Sequence, residues 1–139
     1  MRYVQLLYKG KLQKLKRAVD KANEILRSDD FYMQIKAYRE FNQSCLSPEI
    51  IVNLMRESSH TVVVRVNWLA PSSCRYDCIR VSGWDFSSNL AASVNLLIYE
   101  TVRAMAEYHQ KLNSSPQQTY DDKYTAPWVI STIAEIMVK

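Results

Sequence analysis

From Lys9 to Arg27 the apolar residues Leu12, Leu15, Val19, Ala22 and Leu26 recur at alternating spacings of three and four. That period places them on one stripe of an amphipathic helix over 9–27, with the lysines on the opposite side. Ser28-Asp29-Asp30 supplies a stop and a fresh cap, after which Phe31, Ile35, Tyr38 and Phe41 mark the inner face of a short second helix. Ser47-Pro48-Glu49 has the form of an N-cap, a proline at the first helical position and an acid at the positive end of the dipole. A third helix carrying Ile50, Ile51, Leu54 and Met55 should follow.

The pattern then changes period. Val62, Val63, Val64 and Val66 are β-branched, and Arg65 and Asn67 interrupt them, which predicts a strand with one face more deeply buried. Ala70-Pro71-Ser72-Ser73 reads as a turn, and Tyr76 to Val81 as a strand returning antiparallel, so that 61–82 forms a sheet region. Arg2 to Leu7 is a candidate further strand. Ser87-Ser88-Asn89 offers caps for the longest helix, over 89–112, whose apolar positions Leu90, Val94, Leu97, Ile98, Val102 and Met105 cover an arc wide enough to need enclosure. A polar, turn-rich segment follows. Thr125-Ala126-Pro127 then opens a last helix over 126–138 with Val129, Ile130, Ile133, Ile136 and Met137. The fold class expected is α+β: one domain of helices packed on a small, mostly antiparallel sheet, with 89–112 as the central helix.

Composition changes little in this picture. The 139 residues include only 2 Gly and 4 Pro, against 47% hydrophobic residues, which excludes collagenous and disordered chains and disfavours a turn-rich β sandwich. The uncharged stretch that ends at Tyr99 falls far short of the ~20 residues of a spanning helix, and no apolar leader precedes the first helix. A soluble, cytoplasmic protein without membrane contact is the expectation. The net charge of +4 sits wholly on the first thirty residues, which hold eight basic and four acidic side chains. A basic helix can meet nucleic acid, with Lys11, Lys14 and Arg17 as the contacting face. No aromatic residues interleave the lysines to stack on bases, so a solvated face is the plainer reading.

Catalytic parts are scarce. Three cysteines make an odd number, and Cys74-Arg-Tyr-Asp-Cys78 lacks the second pair of a structural zinc site, so reduced thiols are expected. There is no Gly-rich phosphate loop and no nucleophile elbow. Asp77, Asp85, Asp121 and Asp122 read as solvated loop acids, and Trp68, Trp84 and Trp128 as core or rim.

One turn of the long helix stands apart. Zincin metallopeptidases place H-E-x-x-H on a helix because positions four apart share a face, so two imidazoles chelate zinc while the Glu activates its water. Here the run is Tyr99-Glu100-Thr101-Val102-Arg103, with His109 ten residues after Tyr99, where the extended form has its third histidine. The frame Ser93-x-Asn95-x-x-x-Tyr99-Glu100-x-x-Arg103-Ala104 resembles the zincin form S-x-N-x-x-x-H-E-x-x-H-A. Thr125-Ala126-Pro127-Trp128-Val129-Ile130 resembles the "tAPywI" run that closes some of these domains. The order of elements is similar too: helices, a short sheet, an active-site helix, a polar loop and a closing helix. The resemblance to small zincin-like domains implies that Tyr99, Glu100, Arg103 and His109 form a vestigial site.

The departures decide what chemistry that implies. Arginine is permanently cationic and repels a divalent metal where imidazole would bind one, so no metal and no cofactor are expected. Glu100 would pair with Arg103 three residues on. A plainer alternative stands beside this, in which Glu100, Arg103, Glu107 and Lys111 form an exposed polar stripe and Tyr99 is core. The leading functional expectation is a non-catalytic zincin-like domain that binds an unknown protein partner. Its alternative is a nucleic-acid-associated accessory protein using the basic helix 9–27, and an active hydrolase around Glu100, His109 and Tyr124 ranks last.

Overall fold

The computed structural model describes residues 3–37, 48–56, 60–68, 71–75, 77–82, 89–113, 124 and 126–138. Among them the chain forms β1 (Gln5–Leu7), α1 (Gln13–Leu26), α2 (Asp29–Ala37), α3 (Pro48–Arg56), β2 (Thr61–Asn67), β3 (Ser73–Arg75), β4 (Cys78–Ser82), α4 (Leu90–Asn113) and α5 (Ala126–Val138). These are helices packed on one mixed sheet, an α+β domain.

Strand order is β1-β2-β4-β3. β1 runs parallel to β2, β2 runs parallel to β4, and β3 alone is antiparallel, to β4. The sheet is therefore not mostly antiparallel, and the cause is local. Ser73–Arg75, of which only Ser73 belongs to the expected turn, is a strand that opposes β2 in direction but lands one slot away. The chain then reverses, pairing Arg75 with Cys78, and β4 fills the vacant slot parallel to β2.

Strand alternation divides the sheet into two faces. Leu6, Val62, Val64, Ile79 and Val81 are buried toward the helices, whereas Gln5, Thr61, Arg65, Ser73, Arg75 and Arg80 are exposed on the other side. α1 lies against β1 and α4 against β3 and β4, and α5 packs along α4. Leu15, Ala18, Val19, Ala22, Ile25 and Leu26 bury the inner stripe of α1. Leu12 does not join them: it is the extended N-cap residue, with its N–H donated to the Tyr8 hydroxyl, so the helix starts at Gln13 and not Lys9.

At the outer edge of β1, Leu6 donates its N–H to Asn23 Oδ1 at 2.8 Å and accepts from Asn23 Nδ2 at 2.9 Å. A side-chain amide from α1 thus occupies backbone groups that a free edge would offer to another strand. In α2, Phe31, Tyr32 and Ile35 are buried, and the Tyr32 hydroxyl donates to the Leu26 carbonyl. Tyr38 and Phe41 lie outside the described residues, as do Cys45, Trp84, Asp85, Asp121 and Asp122. Arg56 of α3 meets Asp29 at the start of α2 at 2.8 Å.

α4 is the central element, about 36 Å long at the usual rise per residue. Its cap is the Asn89 side chain, which accepts from the Ala92 N–H at 3.1 Å. Val94, Leu97, Ile98, Thr101, Val102, Ala104, Met105 and Ala106 are all buried, the enclosure that its broad apolar arc requires. Asn95 Nδ2 donates to Glu135 Oε1 at 3.2 Å and ties α4 to α5. Within α5, Ala126, Pro127, Val129, Ile130 and Ala134 face inward, but Ile136, one of the apolar residues of this helix, is exposed. No helix among the described residues is long and apolar enough to cross a membrane.

Candidate functional site

Where α4 crosses the inner face of β3, five side chains from three segments meet: Tyr99, Glu100 and Arg103 of α4, Cys74 of β3, and Tyr124. Positions 99 and 103 are one helical turn apart, and Glu100 lies between them on the buried side of the helix. The plainer alternative of an exposed polar stripe therefore fails at its first member. Arg103 is only partly buried, and its Nη1 approaches both Glu100 carboxylate oxygens at 3.5 Å. At that length the contact is an ion pair more than a directed hydrogen bond. The guanidinium carbon sits 5.8 Å from the Tyr99 ring centroid and 5.5 Å from that of Tyr124, so two phenol faces flank the cation.

Cys74 approaches from β3. Its neighbours Ser73 and Arg75 point outward, so alternation turns its thiol toward α4, where it hydrogen-bonds Glu100. Burial, then the Glu100 charge, push the Cys74 thiol up to about 12, and the nearby Arg103 offsets only part of this. The thiol is thus a neutral donor to the carboxylate and not a thiolate nucleophile. Burial also raises the Tyr99 phenol, against the pull of Arg103. For Arg103 itself burial works against the charge, yet Cys74, Glu100, Tyr99 and Tyr124 together outweigh it and hold the cation more firmly than usual.

This arrangement neutralises its own carboxylate. A hydrolytic glutamate needs a free lone pair aimed at a water that a cation polarises. Here a fixed guanidinium and a thiol proton already engage Glu100, and a metal would meet Arg103 at close range. Among the described residues no group of three His, Cys, Asp or Glu side chains is placed to hold a metal ion.

His109 is not brought to the cluster. It lies nine residues past Glu100, about 13.5 Å along the axis, because α4 continues unbroken to Asn113. The extended zincin motif has a glycine seven residues after its first histidine, and that position is the buried Ala106 inside the helix. His60 stacks on Tyr108 with centroids 4.3 Å apart. Cys74 and Cys78 are free and belong to opposite faces of the sheet, so they cannot share an ion. On the basic segment, Lys14 and Arg17 are exposed on α1, and Lys11 is exposed ahead of its first turn. The sequence left Cys74 unconnected to Glu100, and reading 73–75 as a strand would have supplied the link.

No protein-family model, no curated protein and no solved structure matches the chain.

Proposed function

We propose that this chain is a non-catalytic domain of zincin-like descent that acts by binding a protein partner. The observation that carries the reading is the Arg103 guanidinium, ion-paired to buried Glu100 and flanked by Tyr99 and Tyr124. Supporting the descent are the S-x-N frame, with Ser93 buried and Asn95 tied to α5, and the order of helices, sheet, long helix and closing helix.

Binding to a protein is supported by α5. Trp128 and Ile136 are 61% and 62% exposed and eight residues apart, with Thr132 between them, so they share one outward stripe. Large apolar side chains that leave the core in a row are characteristic of contact surfaces, and tryptophan is enriched among interface anchors. The proposal includes a cytoplasmic setting, in keeping with the free thiols of Cys74 and Cys78.

Two measurements test it together. Casein hydrolysis by the wild-type chain with zinc present should be nil, and chelator-sensitive cleavage contradicts the non-catalytic part. Crosslinked partners of the wild-type chain should be lost from a Trp128→Lys/Ile136→Lys variant with an unchanged circular dichroism spectrum. An identical partner set for both chains contradicts the binding part.

A further inference from the structure

The outer face of the sheet, opposite the helices, carries three arginines on three adjacent strands. Arg65 of β2 is the register partner of Arg80 of β4. Arg75 of β3 pairs with Cys78, two residues before Arg80 on the same strand. Neighbouring strands lie about 4.8 Å apart and diagonal neighbours about 7–8 Å, so all three positions fall within roughly one short sheet patch. All three side chains are exposed, and they line one groove of about 500 Å3 with Val63 and Asp77.

This is an unusual surface for a sheet to expose. Like charges directly opposite on neighbouring strands repel, and Arg65 and Arg80 stand in that relation. Among the described residues no carboxylate forms an ion pair with any of the three, although Asp77 borders the same groove. Against three arginines the described residues set only Asp77 in the groove, and the face offers planar, permanently charged forks that fit phosphate oxygens two at a time. The three guanidiniums rise from three adjacent strands along one groove, so they can engage successive phosphates of one strand. The lining has little apolar surface for a peptide to bury.

We infer that Arg65, Arg75 and Arg80 form a binding groove for the phosphodiester backbone of a nucleic-acid strand. The contacts are to phosphate, so binding is independent of base sequence and sensitive to salt. The site differs from the basic helix α1, which packs on the other side of the sheet, and it does not depend on the descent of α4.

The test uses the full chain and fluorescein-labelled oligo-U and oligo-dT of about 20 nucleotides, followed by anisotropy from about 0.05 to 0.3 M salt. The wild-type chain should bind both, with a log–log salt slope of about −2, the value for three neutralised phosphates on a single strand. Arg65→Gln/Arg75→Gln/Arg80→Gln should weaken binding about tenfold or more and flatten the slope toward zero. Single substitutions at each position should each weaken it severalfold, which keeps the test valid if the triple variant folds poorly. Lys11→Gln/Lys14→Gln/Arg17→Gln should leave most of the affinity intact. No binding at the lowest salt overturns the assignment. So does equal binding by the sheet variants, loss confined to the α1 variant, or equally tight binding of polyglutamate.

Discussion

Arg103 stands one helical turn beyond Glu100, and the two side chains of this ion pair are 28% and 4% exposed. The carboxylate is the dependent member, since burying a charge without a partner is far more costly than leaving a partly exposed cation without one. Arg103→Met should therefore destabilise the chain by about 1–3 kcal/mol. Adding Glu100→Gln to that variant should restore part of the loss, because the buried group is then neutral. Urea unfolding of both single variants and the double variant gives the coupling directly. A neutral Arg103→Met variant counts against a structural role for the pair.

Cys74 reports on the same cluster from the sheet side. Its thiol is raised from 9.0 to about 12, with burial the largest cause and the Glu100 charge next. At mildly alkaline pH, iodoacetamide should label Cys78 well before Cys74, as read by peptide mass mapping. A group whose folded pKa lies above its unfolded one contributes stability that is whole below the unfolded value and lost as pH rises toward the folded one. Stability should thus fall between pH 9 and about 12. The fall should be shallower in Cys74→Ala, and an identical slope in both chains contradicts the burial of this thiol.

Asn23 guards the other edge of the sheet. Its amide makes both a donor and an acceptor contact with Leu6, so Asn23→Ala leaves two backbone groups of β1 without those partners. The expected loss is about 1–3 kcal/mol in urea unfolding. Sedimentation should show concentration-dependent association that the wild-type chain lacks, because the exposed edge can pair with another copy. A variant that stays monomeric and equally stable assigns the contact no protective role.

The helices were legible in the sequence because each carries a 3.6-residue apolar period and its own terminators. Asn89 caps α4 and Pro127 opens α5 as their residue types predict. The boundary missed at Leu12 shows the limit, since an apolar residue continues the stripe whether its backbone is helical or extended. Sheet topology was not legible. β3 has three residues, too few to display alternation, and nothing local says that the strand after β2 skips a slot. The pairing of Glu100 with Arg103 followed from i, i+3 spacing alone. Its burial did not, because that depends on β3 and Tyr124 arriving from distant positions. The arginine face was hidden for the same reason, as register alone makes neighbours of Arg65 and Arg80.

Zinc calorimetry on the wild-type chain and on a Tyr99→His/Arg103→His variant bears most directly on the claim that a guanidinium holds a ligand's place beside Glu100. The wild-type chain should give no stoichiometric heat at micromolar zinc, and the variant should bind about one equivalent, since two imidazoles one turn apart then flank the carboxylate. Tight, stoichiometric zinc binding by the wild-type chain, or none by the correctly folded variant, contradicts it.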